Sequence, residues 1–343
     1  MSAFFSPFIS KPDSVSAIML KVILALIPGI VLYVWFFGPA ILVSITLASI
    51  TALATEAAML KLRKRPVMPF LKDNSALLTA WLLALSIPPL APWWLIVVGT
   101  AFCIAVAKHL YGGLGNNPFN PAMVGYAVLI VSFPVQMTHW ITPLGMGPEL
   151  NWVQQLQYIF SDMLPEGIKL DAVTMATPLD TLKTQLHLLH PANEILAQSI
   201  FSHLAGHGSE MVAIGFLIGG LYLLASKIIS WHLPATFLGT LFLVSGIFHL
   251  ADPAHYVTPL FHWFSGAAML GAFFILTDPI TSPTTHKGKF IFAAGAGLFT
   301  YLIRVYGAFP DGIAFATLLM NICVPLIDAY TQPKVFGKKE NQA

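Results

Sequence analysis

Charge is scarce in this chain: Asp, Glu, Lys and Arg make up 9% of its 343 residues, whereas a soluble domain carries about 25%. With 57% hydrophobic residues and a mean hydropathy of +0.76, it has too little polar surface for a soluble fold and reads as a polytopic membrane protein. Seventeen Lys and Arg against fifteen Asp and Glu leave a net charge of +2, so there is no overall field for nucleic acid. Cysteine is nearly absent: Cys103 and Cys323 both sit in apolar runs, which excludes a disulfide framework or a cysteine-based metal centre. There is no Walker loop and no dinucleotide fingerprint, which argues against direct NADH binding, and no nucleophile triad. The first apolar run follows Lys21 without a small-residue cleavage pattern, and Asp13 is ill suited to a signal peptide, so the run reads as a retained helix.

What the chain has in quantity is apolar runs. Ten approach the roughly 20 residues that cross a bilayer, centred near Tyr33, Thr46, Leu83, Val97, Leu129, Gly220, Phe242, Gly271, Leu298 and Leu319. Pro88-Pro89 closes the third, Asn120-Pro121 opens the fifth and Asp278-Pro279 closes the eighth, which predicts broken or half-length helices at these points. With the N-terminus in the cytoplasm, fourteen of the seventeen basic residues fall inside (Lys11, Lys21, Lys61, Arg63, Lys64, Arg65, Lys72, Lys108, Lys227, Lys287, Lys289, Lys334, Lys338 and Lys339) and only Lys169, Lys183 and Arg304 outside, as the positive-inside rule requires.

The fold class expected is therefore an all-α polytopic membrane protein of about ten transmembrane helices. Residues 1–137 form a first membrane half, 138–210 an outer-side loop, and 211–343 a second half with a cytoplasmic tail. Five helices on each side of the loop imply inverted topologies if the halves are related. SALLTAWLLALSIPP from Ser75 and SGAAMLGAFFILTDP from Ser265 share a polar start and a terminal proline at an offset of 190.

Four stretches carry candidate chemistry. YGGLGNNPFNPAMVG, Tyr111 to Gly125, combines Gly112, Gly113 and Gly115 with the carboxamides Asn117 and Asn120; it reads either as a tight turn before an Asn-capped, Pro-led helix or as a grip for a flat, hydrogen-bonding ring. Glu56 and Asp328 lie in apolar runs and Asp278 at the end of one. Each either satisfies itself locally, as Glu56 would by reaching Lys61 or Arg63 at the interface, or belongs to an ion path. His187, His190, His203 and His207 have spacings compatible with zinc, but all-histidine structural sites are uncommon and no metal is expected. In the loop, Asp171, Thr174, Ala176 and Thr177 form D-x-x-T-x-A-T, either a capped turn or a hydroxyl to which a phosphoryl group is transferred.

These residues resemble a known family: the D subunits of Rnf ion-translocating electron-transport complexes, related to the B subunit of sodium-translocating NADH:quinone reductase. The likeness covers nearly the whole chain. The family's flavinylation pattern, D-G-x-S/T-G-A-T/S, falls on Asp171, Thr174, Ala176 and Thr177, departing at Ala172 and Met175 where the pattern has glycine. The resemblance implies FMN held covalently through its phosphate on Thr177. The pattern G-G-x-G-x-N-x-x-N-P-A is retained at Gly112, Gly113, Gly115, Asn117, Asn120, Pro121 and Ala122, and implies a second, non-covalent flavin, riboflavin, near Asn117 and Asn120. It further implies a bacterial inner-membrane protein with cytoplasmic termini and a periplasmic loop, partnered by the complex's A, B, C, E and G subunits and matured by a flavin transferase. Electrons would cross the bilayer coupled to Na+ or H+ movement, with Glu56, Asp278 and Asp328 as candidate ion-path carboxylates. The rival expectation is a channel or secondary transporter for a small solute, since broken helices and inverted halves also occur in urea-channel-like folds.

Overall fold

A computed structural model describes residues 14–333; Lys11, Asp13, Lys334, Lys338 and Lys339 lie outside the described residues. The ten runs become α1 (Val15–Phe37), α2 (Ala40–Leu62), α3 (Ser75–Ala84), α4 (Trp93–Leu110), α5 (Pro121–Ser132), α6 (Ser209–Ala225), α7 (His232–Ala251), α8 (Ala268–Leu270 continued by Gly271–Ile275), α9 (His286–Tyr306) and α10 (Ile313–Thr331). Six of them, α1, α2, α4, α7, α9 and α10, are long and apolar enough to cross a membrane. The protein is thus an all-α, multi-pass membrane protein. The other four are shorter, and the sequence breaks explain three of them. The chain turns through Pro88-Pro89 soon after α3 ends and through Asp278-Pro279 after α8, while Pro121 fixes the first turn of α5. Interrupted backbone at this depth is tolerable only where protein covers it, and α3 and α8 are largely buried. At the N-terminal end, α1 begins before Lys21 because the Ser14 hydroxyl caps it, accepting from the Ala17 amide at 3.2 Å.

Packing repeats between the two sets of five helices. In the first, α2 packs on α3 and α4; in the second, α7 packs on α8 and α9, while α1 meets α6 and α5 meets α10. The α1–α6 crossing is close because α6 presents Gly215 and Gly219 to the backbone of α1 at Gly29 and Ala25, the small-residue contact that lets membrane helices approach. A Cβ on Gly219 would overlap the Ala25 carbonyl, whereas one on Gly239 meets nothing within 4 Å. Gly219→Ala is therefore expected to cost about 1–3 kcal/mol or more, with Gly239→Ala within about 0.5 kcal/mol of the parent, as read by thermal unfolding in detergent.

The segment between α5 and α6 is a folded layer rather than a plain excursion. Strand β1 (Trp140–Ile141) pairs antiparallel with β2 (Thr174–Met175), Trp140 opposite Met175. One small core joins Ile141, Tyr158, Ile159 and Val173 to Ala40 and Val43 of α2. A second joins Leu179, Leu182, Ile195, Ile200 and Phe201 to Phe261. Helix Trp152–Ser161 begins with a reciprocal cap, Asn151 bonding the Gln154 amide and Gln154 bonding the Asn151 amide, so it starts as sharply as an isolated amphipathic helix requires. The two cores seat this layer on the ends of the membrane helices.

Candidate functional site

Two cavities lie back to back in the molecule, each built around one of the half-helices. The first, on the face covered by the 138–210 layer, encloses about 1290 Å³ of non-atom space, part of it open to solvent. Its wall is apolar and aromatic, with Tyr33, Tyr126, Phe216, Met175 and Met269 among its residues, and Thr177 lines it as well. The second encloses about 810 Å³ and is more polar, bounded by Ser75, Lys108, Asn117, Asn120, Thr277 and Asp278. Their walls correspond. The first is made by the starts of α6, α8 and α10 and the end of α1; the second by the starts of α1, α3 and α5 and the residues that follow α6 and α8.

Thr177 reaches the first cavity for local reasons. The β1–β2 ribbon carries the chain to Met175, and Thr177 is the N-cap of helix Pro178–His187, its hydroxyl accepting from the Asp180 amide at 3.2 Å. Pro178 at the first helical position fits the helix entry, and Gly206 abuts it so closely that a Cβ there would overlap the Pro178 ring. Glu210 holds that neighbouring turn, accepting from Ser202 Oγ and from the Leu204 and Ala205 amides. Burial in this layer raises the Asp180 carboxyl pKa, opposed by Lys183, and lowers that of the Lys183 amine, opposed by Asp180 and Asp311.

The other members of the loop motif are not gathered with Thr177. Ala176 lines the same cavity, but Asp171 is exposed on the single turn Leu170–Val173. Thr174 bonds the Leu170 carbonyl and faces a third, smaller cavity with His139 and Tyr158. In the glycine-asparagine cluster, Gly112, Gly113 and Gly115 all have positive φ, at 125°, 98° and 91°, the backbone use for which glycine is suited. Asn117 and Asn120 both line the second cavity. The Asn120 carboxamide is already committed as the cap of α5, accepting from the Ala122 and Met123 amides and donating to the Ile275 carbonyl. Asn117 donates to the Phe119 carbonyl while its own oxygen is buried without a partner, leaving an acceptor for a ligand N–H or a water.

The candidate carboxylates part company. Glu56 does not reach outward to Lys61 or Arg63: it is 1% exposed, and Lys108 Nζ donates to both its oxygens at 2.9 and 2.8 Å. Lys108 also donates to Ser75 Oγ at 2.8 Å, and His109 Nε2 lies 3.2 Å from Glu56. Arg63 Nη1 donates to His109 Nδ1 at 3.3 Å, which fixes the imidazole as the tautomer with hydrogen on Nε2. A π-helical stretch, Cys103–Leu110, turns the consecutive Lys108 and His109 both inward. Lys108, one of the fourteen basic residues that fall inside by sequence, is thus buried in the helix packing and not an exposed charge. So is Arg304, which is 3% exposed and pairs with Asp311, donating as well to the His262 and Ser265 carbonyls. The two buried cations hold equivalent points: Lys108 grips Ser75 at the start of α3, Arg304 grips Ser265 just before α8. Asp278 lines the second cavity and accepts from Thr281 Oγ1 and the Ile280 amide. Asp328 lies apart, tying the loop at Thr284 to α10. Among the described residues, no group of three or more His, Cys, Asp or Glu side chains is placed to hold a metal, and the four loop histidines do not converge.

A helical membrane protein with interrupted helices meeting between two opposed cavities, each backed by a buried ion pair, is the class that fold and site define. Within it the chain belongs to the NQR2, RnfD, RnfE family, whose model matches residues 3–337. It is 54% identical over 343 residues to the D subunit of an ion-translocating oxidoreductase complex from Yersinia pseudotuberculosis serotype I (strain IP32953), covering 97% of each chain. Proteins of the same description from Cronobacter sakazakii (strain ATCC BAA-894) and Aliivibrio salmonicida (strain LFI1238) are 52% and 50% identical, over 97% and 98% of this chain and 98% and 99% of theirs.

Proposed function

We propose that this chain is a membrane subunit of an ion-translocating oxidoreductase complex, and that it carries electrons between a flavin bound covalently through phosphate at Thr177 and a second flavin beside Asn117 and Asn120. The observation that carries this reading is the position of Thr177: its residue lines the large aromatic cavity and caps a ten-residue helix there. The residues fit the group. Flat apolar walls suit an isoalloxazine ring, and the amides at the start of Pro178–His187 favour the negative charge of a phosphoester. When bound, flavins would supply the one- and two-electron chemistry that side chains lack.

The protein's own part is to position, insulate and seal. Ala122 faces the second cavity and its neighbour Met123 the first; Phe274 and Ile275 divide in the same way. Chain neighbours on α5 and α8 thus line opposite cavities, so the side chains of these two helices form the partition between them. The relatives' names support partnership with further members of a complex; those expected are the A, B, C, E and G subunits, with a flavin transferase for maturation. The proposed organisation is two five-helix halves, 1–137 and 211–343, around the 138–210 layer, in a bacterial inner membrane with termini cytoplasmic and the layer periplasmic. Coupling to Na+ or H+ would draw on Glu56 or Asp278; Asp328 is held away from both cavities.

Expression with and without the transferase tests the reading. The expected result is a denatured gel band that fluoresces only with the transferase, and proteoliposomes of the chain alone that pass no small solute. A dark band in both, with rapid urea-sized flux, would support the channel instead.

A further inference from the structure

His207 is the member of the loop's histidine set that lies at the cavity. It lines the same wall as Thr177, and the preceding residue, Gly206, is the one pressed against Pro178. The chain segments Thr177-Pro178 and Gly206-His207 therefore meet across the cavity mouth. The His207 ring lies edge-on to Phe36, 6.5 Å between centroids, and among the described residues its nitrogens have no hydrogen-bond partner.

The other charged groups around this mouth are engaged. Lys183 donates to the Ile303 and Phe309 carbonyls. Asp311, on the opposite wall, accepts from Arg304, the Ala267 amide and the Gly312 amide. Glu210 is taken up by the turn Ser202–Ala205. Asp180 sits in the first turn of the helix that Thr177 caps, its amide donating to the Thr177 hydroxyl, so a phosphoester on Thr177 would have an acidic residue as well as the amides in its own turn. Tyr33 of α1 lines the cavity, and His203 stands exposed in the adjoining turn.

We propose that His207 is the basic positioning residue for the phosphoester on Thr177, its imidazole donating to a phosphoryl oxygen across the mouth of the cavity. The inference rests on the flavin reading of Thr177. A phosphodiester keeps one negative charge at neutral pH and has no donor of its own, so an imidazole with unpaired nitrogens beside it completes the charge balance that Asp180 upsets.

The test is phosphorus NMR of the full chain, expressed with the transferase and freed of lipid in a phosphorus-free detergent, with in-gel flavin fluorescence read on the same samples. Riboflavin carries no phosphorus, so the single resonance reports the site at Thr177. A diester does not titrate near neutrality; the expected result is nevertheless a resonance that moves between about pH 5 and 8, where imidazole changes charge. In His207→Asn the band stays fluorescent and the movement disappears; in Asp180→Asn and His203→Asn it persists. A fluorescent band whose resonance is static in the parent, or moves unchanged in His207→Asn, overturns the role of His207 and leaves the flavin at Thr177 standing. Loss of fluorescence in His207→Asn is checked against His207→Lys, which supplies a fixed cation: a fluorescent, non-titrating Lys variant supports the proposal, and a dark one overturns it. A dark parent with no phosphorus resonance overturns both readings.

Discussion

Thr177→Ala yields a chain that still folds in the membrane but shows no covalent flavin in a denaturing gel. The alanine removes the hydroxyl that would be esterified, and it removes the cap on the Asp180 amide, which costs about 1 kcal/mol. Set against a typical stability of about 5–15 kcal/mol, that cost does not unfold the layer, so a lost band reports a lost attachment point. Thr177→Ser keeps an oxygen that both caps and accepts a phosphoryl group, and is expected to retain at least part of the signal. Thr181→Ala is the matched control inside the same helix and should be as bright as the parent. Thr174→Ala also keeps the flavin but loses the bond to the Leu170 carbonyl, so its effect falls on stability alone.

The second large effect belongs to the ion pair inside the first five helices. Lys108→Met leaves Glu56 at 1% exposure with its principal partner gone. Removing one member of a buried pair costs about 3–5 kcal/mol, and here Ser75 also loses its contact at the start of α3. Thermal unfolding in detergent should register a large drop, while Arg63→Gln, which touches the network only through His109, should produce a small one. Since the pair must itself overcome desolvation, the double replacement Glu56→Leu with Lys108→Met is expected to recover most of the loss. Recovery of stability without recovery of ion-coupled electron transport would separate an ionic role of Glu56 from its structural one.

The membrane class was open to reading because it depends on composition and run length, which burial does not alter. Breaks were open to reading for a similar reason: proline removes a backbone donor wherever it stands, and Pro88-Pro89, Pro121 and Pro279 do mark where half-helices stop or start. Partners across the fold were not. Lys108 and Arg304 look like loop charges because each lies in the last turn of its helix, and only the packing of α2 on α4, and of α9 against the residues before α8, turns them inward. A signal did exist, since Lys108-His109 follows an unbroken apolar stretch and lies fifty-two residues from its acid in another such stretch, but nothing local pairs the two. The same limit applies to the loop. Its hydroxyls could be ranked by pattern, yet that Thr174 turns to the Leu170 carbonyl while Thr177 opens on the aromatic cavity follows from the β1–β2 register. His207, weighed from sequence only as a zinc ligand, gains its interest from a glycine contact with Pro178 that no spacing rule encodes.

The central claim is that one hydroxyl, Thr177 Oγ1, anchors a flavin. Tryptic cleavage after Lys169 and Lys183 releases the peptide 170–183 with Thr174, Thr177 and Thr181 inside it. Mass spectrometry of that peptide, from chain made with the transferase, should find it heavier by FMN less one water, with fragment ions assigning the addition to Thr177. An unmodified peptide, or an addition on Thr174 or Thr181, would contradict the account.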